Sequence, residues 1–128
     1  VSKQIPAHFE DLAMSQALEA WMQAVFACNA YVDVQAPWAL KKTDPERMET
    51  VLATLFICIA QLAIAALPII PGSATKLLDQ MGVPNEVRNF ADAGTHWYAP
   101  LAESGFQIAQ PVGLFPRLEM PAEEGAAA

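Results

Sequence analysis

The chain has 128 residues, which suits one domain with one modest core. It is 54 % hydrophobic and 16 % charged with a formal net charge of −7, which excludes a disordered chain and argues against a general polyanion binder with a basic face. Two cysteines, Cys28 and Cys58, and two isolated histidines, His8 and His96, give no CxxC and no zinc spacing.

Residues 1–13 are ambiguous, and "FEDLAM" reads as the end of a helix that begins before Val1. The start at Val1, with no secretory-signal pattern, reads as a piece of a longer protein. Ser15 then suits an N-cap, with Glu19 in the first turn where a carboxylate suits the helix dipole. Leu18, Trp21, Met22, Val25, Asn29 and Val32 recur at three- and four-residue steps, which predicts an amphipathic helix to about Val34. "APW" stops it, because a residue before proline disfavours helical angles. A short "WALKK" segment follows. Asp44 as N-cap with Pro45 at the first helical position starts a second long helix, and Thr43 with Glu46 would give a capping box instead. That helix runs to about Leu67, where Pro68 and Pro71 end it. Ser73 and Gly82 bracket a third. "PNEVRNFADAG" holds a further turn or two. Residues 95–119 show no helical period, and "PAEEGAAA" reads as a loose tail. No internal repeat is present.

Nothing between Glu49 and Lys76 is charged, and residues 51–70 are long enough to cross a bilayer. A core helix is the better expectation. The stretch begins with a water-facing cap and "ERMET", and its flanks lack a positive-inside asymmetry. Thr54, Cys58, Gln61 and Ala65 form a small or weakly polar stripe beside Leu55, Ile59, Leu62 and Ala66, and the preceding helix has an apolar face to cover. Cys28 and Cys58 then read as buried core thiols rather than a disulfide or metal pair.

No GxxxxGK, GxGxxG, GxSxG or HExxH motif occurs, and no carboxylate pair stands out as acid and base. The informative stretch is "NAYVDVQAPWALKK", residues 29–42. Asn29 lies on the predicted apolar face and reads as a structural tie to backbone. Trp38 follows the helix-breaking Pro37, with Lys41 and Lys42 just beyond. Its indole suits stacking on a flipped-out base, but on spacing alone plugging the bundle is the better expectation.

"NAYVDVQAPWALKK", the long apolar helix, "LPIIPGSATKLLDQMG" and the terminal "GFQIAQPVGLFPRLE" occur in an order that resembles the C-terminal anticodon-binding domain of bacterial methionyl-tRNA synthetases. The resemblance covers about residues 15–119. It implies an all-α helix bundle of the class I synthetase anticodon-binding type over residues 1–119, with an irregular C-terminal segment running back along it and a flexible acidic tail over 120–128. It implies recognition of the CAU anticodon in support of methionine attachment to tRNA. In the family, the tryptophan of the APW motif stacks at the first anticodon base, which is Trp38 here, with Pro37 shaping the turn. The arginine of the terminal "FPR" makes Arg117 a second RNA-binding candidate. Lys41, Lys42 and Arg47 are candidates for backbone phosphates on charge alone.

The family also uses an Asn and an Arg one helical turn apart on the domain's first helix. Arg47 and Arg88 have no Asn four residues before them, so that pair would precede Val1 and the first helix would be truncated. The missing helix would expose an apolar patch open to a second copy, giving a non-native dimer. "HIGH" and "KMSKS" signatures are absent, so a catalytic domain elsewhere in the parent chain would supply ATP and Mg chemistry and, in many such enzymes, zinc. This piece alone would carry no catalytic residue and no cofactor. The implied location is cytoplasmic, without a membrane. The competing expectations are a helical protein-interaction domain derived from a synthetase, the corresponding domain of a sister class I synthetase, and a membrane-associated hairpin. Trp38 separates the first of these from an RNA reader: a reader exposes its ring, and a scaffold buries it against Met22 or Leu55.

Overall fold

Helix α4, Pro45–Ala66, is the axis of the bundle and packs against three of the other helices. The computed structural model describes residues 3–92 and 97–120. In chain order the described elements are α1 (Gln4–Glu10), α2 (Met14–Gln35), α3 (Pro37–Thr43), α4, α5 (Pro71–Met81), a 3-10 turn (Asn85–Val87) and α6 (Ala99–Ser104). No strand occurs among the described residues, and the fold is all-α. His96 and residues 121–128 of the expected tail lie outside the described residues.

Asp44 starts α4 as its sequence predicts. Its carboxylate accepts the backbone N–H of Arg47 at 3.1 Å, and Pro45 takes the first helical position, where no N–H is needed. Thr43 does not form a capping box, because its hydroxyl donates instead to the carbonyl of Ala39 at 3.3 Å. Asp44→Ala is expected to lower the unfolding free energy by about 1 kcal/mol. Urea denaturation followed by circular dichroism checks this, and an unchanged midpoint would remove the cap from the account.

Two hydrogen bonds fix how α2 lies on α4. Trp21 Nε1 donates to the carbonyl of Leu62 at 2.9 Å, and Arg47 Nη2 donates to Gln35 Oε1 at 3.0 Å. The start of α2 therefore meets the end of α4, and the helices run antiparallel. On α4, Val51 and Leu55 are buried on one seam, and Phe56, Ala60, Ala63 and Ile64 on another. The second seam joins Leu78, Met81 and Val83 in the main core, with Trp97, Leu101 and Phe106 packed against it. Phe56 and Phe106 approach to 4.4 Å between ring centroids. α4 is also the one described helix long and apolar enough to cross a membrane, and 39 % of its most apolar window is buried among its neighbours.

Several expectations need correction. α2 begins at Met14 behind Ala13, not at a Ser15 cap, and α5 begins at Pro71 behind Ile70, not at Ser73. In both cases the helix starts two or three residues upstream of the position the capping side chain suggests. The α2 face turned to the fold centres on Ala17, which is buried, while Leu18, Met22 and Asn29 are exposed. The expected buried tie at Asn29 is thus not formed: Trp21, Val25 and Val32 of the predicted face are half-buried, with Trp21 bonded to α4, while Asn29 lies outside the contact. The "WALKK" segment is helical, and α6 occupies part of a region without periodicity. Six residues are too few to show a period, and α6 is held by Leu101 packing on the core.

The C-terminal segment is irregular and strapped to α5. Gln80 accepts the N–H of Ala109 on its backbone carbonyl at 2.8 Å. Its side-chain amide pairs with Val112 in both directions, at 3.1 and 3.2 Å. Gly82 ends α5 at φ 69°, a left-handed conformation that glycine adopts without a Cβ penalty. Arg88 then donates two hydrogen bonds to the carbonyl of Val83 and pairs with Asp79 at 2.9 Å, closing the turn back onto α5.

Candidate nucleic-acid interface

The joint between α2 and α4 is built from one strained residue and one short helix. Ala36 ends α2 and opens α3 at φ 42° and ψ 64°. A left-handed alanine costs about 1–2 kcal/mol, and it turns the chain sharply without glycine. Pro37 follows as the first residue of α3, with its ring locking φ for the new helix. Trp38 is 63 % exposed at this corner, although it is a large apolar side chain. Lys41 and Lys42 stand three and four residues on and are exposed, so the indole and both ammonium groups share one side of α3. Both lysines lie in the last turn, where a cation suits the helix dipole.

The other predicted residues are placed differently. Arg117 is exposed, but no described contact joins it to Trp38. The strap passes Gln80 at Ala109 and Val112, and Leu114 and Phe115 then line an apolar groove with Trp21, Ile59, Ile70 and Leu77. That groove lies toward the end of α4, whereas Trp38 lies beside its start, and a 22-residue helix is about 33 Å long. Arg47 is near the joint, and one N–H of its exposed guanidinium is given to Gln35. Gln35 and Ala36 were not singled out by sequence, since nothing in their identities announces a strained joint or a tie across twelve residues.

The cysteines also differ from expectation. Both are half-buried rather than core, and the packing of α2 on α4 sets Cys58 close enough to Cys28 to influence its titration. Burial, and then the neighbouring Cys58, raise the Cys28 pKa above the ordinary cysteine range. Cys28 is therefore expected to stay protonated at neutral pH and to alkylate with iodoacetamide more slowly than a free thiol, its rate still climbing where a free thiol has levelled. Its contribution to stability is present below the unfolded-state pKa and is lost as pH rises through the folded one. A rate profile that levels with that of free cysteine would contradict this. Among the described residues, no group of three or more His, Cys, Asp or Glu side chains is gathered to hold a metal ion.

An all-α bundle that presents an exposed indole and two lysines on a short helix at a strained joint has the form of a helical nucleic-acid-reading domain. The family described as the anticodon binding domain of methionyl tRNA ligase matches residues 2–126. The methionine–tRNA ligase of Mesorhizobium japonicum is 47 % identical over 107 residues, covering 82 % of this chain and 20 % of that protein. That of Rickettsia felis is 41 % identical, covering 86 % of this chain and 21 % of its own length. That of Mycobacterium bovis is 34 % identical over 93 % of this chain and 23 % of its own length. The chain belongs to the anticodon-binding domain family of methionyl-tRNA ligases. It spans about a fifth of the length of the curated relatives it matches.

Proposed function

We propose that this chain reads the CAU anticodon of tRNA within a methionine–tRNA ligase, so that methionine is attached only to the matching tRNA. The single observation that carries the reading is the exposed indole of Trp38 at a joint the backbone strains to make. An aromatic face left in water suits stacking by an unpaired base, which needs no prior sequence-specific hydrogen bond. Pro37 and Ala36 aim the ring, and Lys41 and Lys42 meet the flanking phosphates. Arg117 stands apart from this cluster and would meet RNA separately from the stacked base. The protein-interaction alternative expects Trp38 buried, and its exposure speaks for the reader.

Methionine activation, with its ATP and Mg requirement and any zinc, is assigned by this proposal to the catalytic part of the parent protein. The setting is cytoplasmic translation, without a membrane. The test is a titration at low salt with an RNA hairpin carrying CAU in its loop and with one changed at the first anticodon base. Tighter binding to CAU is expected, weakening as salt rises because phosphate contacts release counterions. Equal binding to both hairpins would overturn the anticodon reading.

A further inference from the structure

The segment that carries Trp38 is closed into a ring by one side-chain hydrogen bond. Gln35 is the last residue of α2, and Arg47 lies in the first turn of α4. Between them run the left-handed Ala36, the whole of α3 and the Asp44 cap. Arg47 Nη2 reaches back to Gln35 Oε1 at 3.0 Å, while its backbone N–H is held by Asp44. Both ends of the short helix are therefore tied, one by the strained turn and one by the cap, and the bond ties the ends to each other. The other described bond across α2 and α4, Trp21 to Leu62, sits near their opposite ends. Among the described residues, no other side-chain hydrogen bond joins the two long helices beside α3.

We infer that the Gln35–Arg47 bond is a clasp that positions Trp38 for stacking, with the Arg47 guanidinium committed to the protein and not to an RNA phosphate. The inference rests on the anticodon-reading proposal for its purpose, but the clasp itself can be tested without RNA. It revises the charge-based expectation for Arg47. A guanidinium suits the role because its planar fork can serve a fixed acceptor with little further ordering. Gln35 suits it as a neutral acceptor that leaves the arginine charge unneutralised beside the lysines.

The discriminating substitution is Gln35→Met, which removes the acceptor, keeps the side-chain length and leaves the Arg47 charge free. The chain is labelled with 5-fluorotryptophan, and the Trp38 resonance is assigned by Trp38→Phe. In Gln35→Met the Trp38 fluorine resonance is expected to shift and change width, while that of Trp21 stays in place. Gln35→Glu, which keeps an acceptor for the guanidinium, is expected to leave the Trp38 line close to its original position. With the CAU and changed hairpins, Gln35→Met is expected to lower the preference at least three-fold without changing the salt slope. In a Trp38→Ala background it is expected to add nothing.

An unmoved Trp38 resonance in Gln35→Met would overturn the clasp. So would tighter RNA binding by Gln35→Met, or an effect of Arg47→Ala that persists without Trp38 and reduces the salt slope by about one, since these are the marks of a phosphate contact. If the unaltered chain fails to distinguish the hairpins, the anticodon reading fails, and the fluorine spectra still decide whether the clasp exists.

Discussion

Leu78→Ala is expected to cost about 3–4 kcal/mol. Leu78 is fully buried, at 0 % exposure, where α5 meets α4. The α4 residues in that cluster include Ala60 and Ala63, which have no length with which to fill a vacated space. Partial collapse is what makes a truncation mild, so the cavity should persist and the cost should not fall to the lower end of the usual range. Domains of this size are stable by about 5–15 kcal/mol, so a substantial share would be lost. Urea denaturation followed at 222 nm measures it. A loss under about 1 kcal/mol would mean that the α4–α5 seam is not where the fold derives its stability. RNA preference, measured well below the lowered midpoint, should survive, because Leu78 lies in the α4–α5 seam and not at the joint.

Trp38→Ala is expected to produce the opposite pattern. Stability should change by less than about 0.5 kcal/mol, because the side chain is mostly in water and caps nothing. Affinity for the CAU hairpin should fall about ten- to a hundred-fold, the worth of one base stacked on an aromatic ring. The preference over the changed hairpin should fall with it. Lys41→Ala and Lys42→Ala should instead weaken both hairpins alike and reduce the salt slope by about one each, as phosphate contacts do. Fluorescence anisotropy of labelled hairpins at several salt concentrations separates the two behaviours. A Trp38→Ala protein that binds and discriminates like the original would return the indole to the role of an idle surface residue.

Local chemistry in the sequence determined several of the boundaries. Asp44 with Pro45 starts α4, Gly82 ends α5, and the proline of "APW" breaks the chain beside Trp38, because caps, prolines and glycines act through their own backbone. The order of motifs around that break was enough to indicate the family. Tertiary structure alone decided which way α2 faces. A helix apolar on more than one side can offer several stripes, and only its partner selects Ala17 and Cys28 over Leu18, Met22 and Asn29. The same holds for α6, which six residues could not announce, and for the strap on Gln80, which joins positions about thirty residues apart. It holds most for the joint itself. The exposure of Trp38, the left-handed Ala36 and the bond from Arg47 to Gln35 exist because two long helices are packed side by side, and no rule that reads neighbouring residues reaches across that packing.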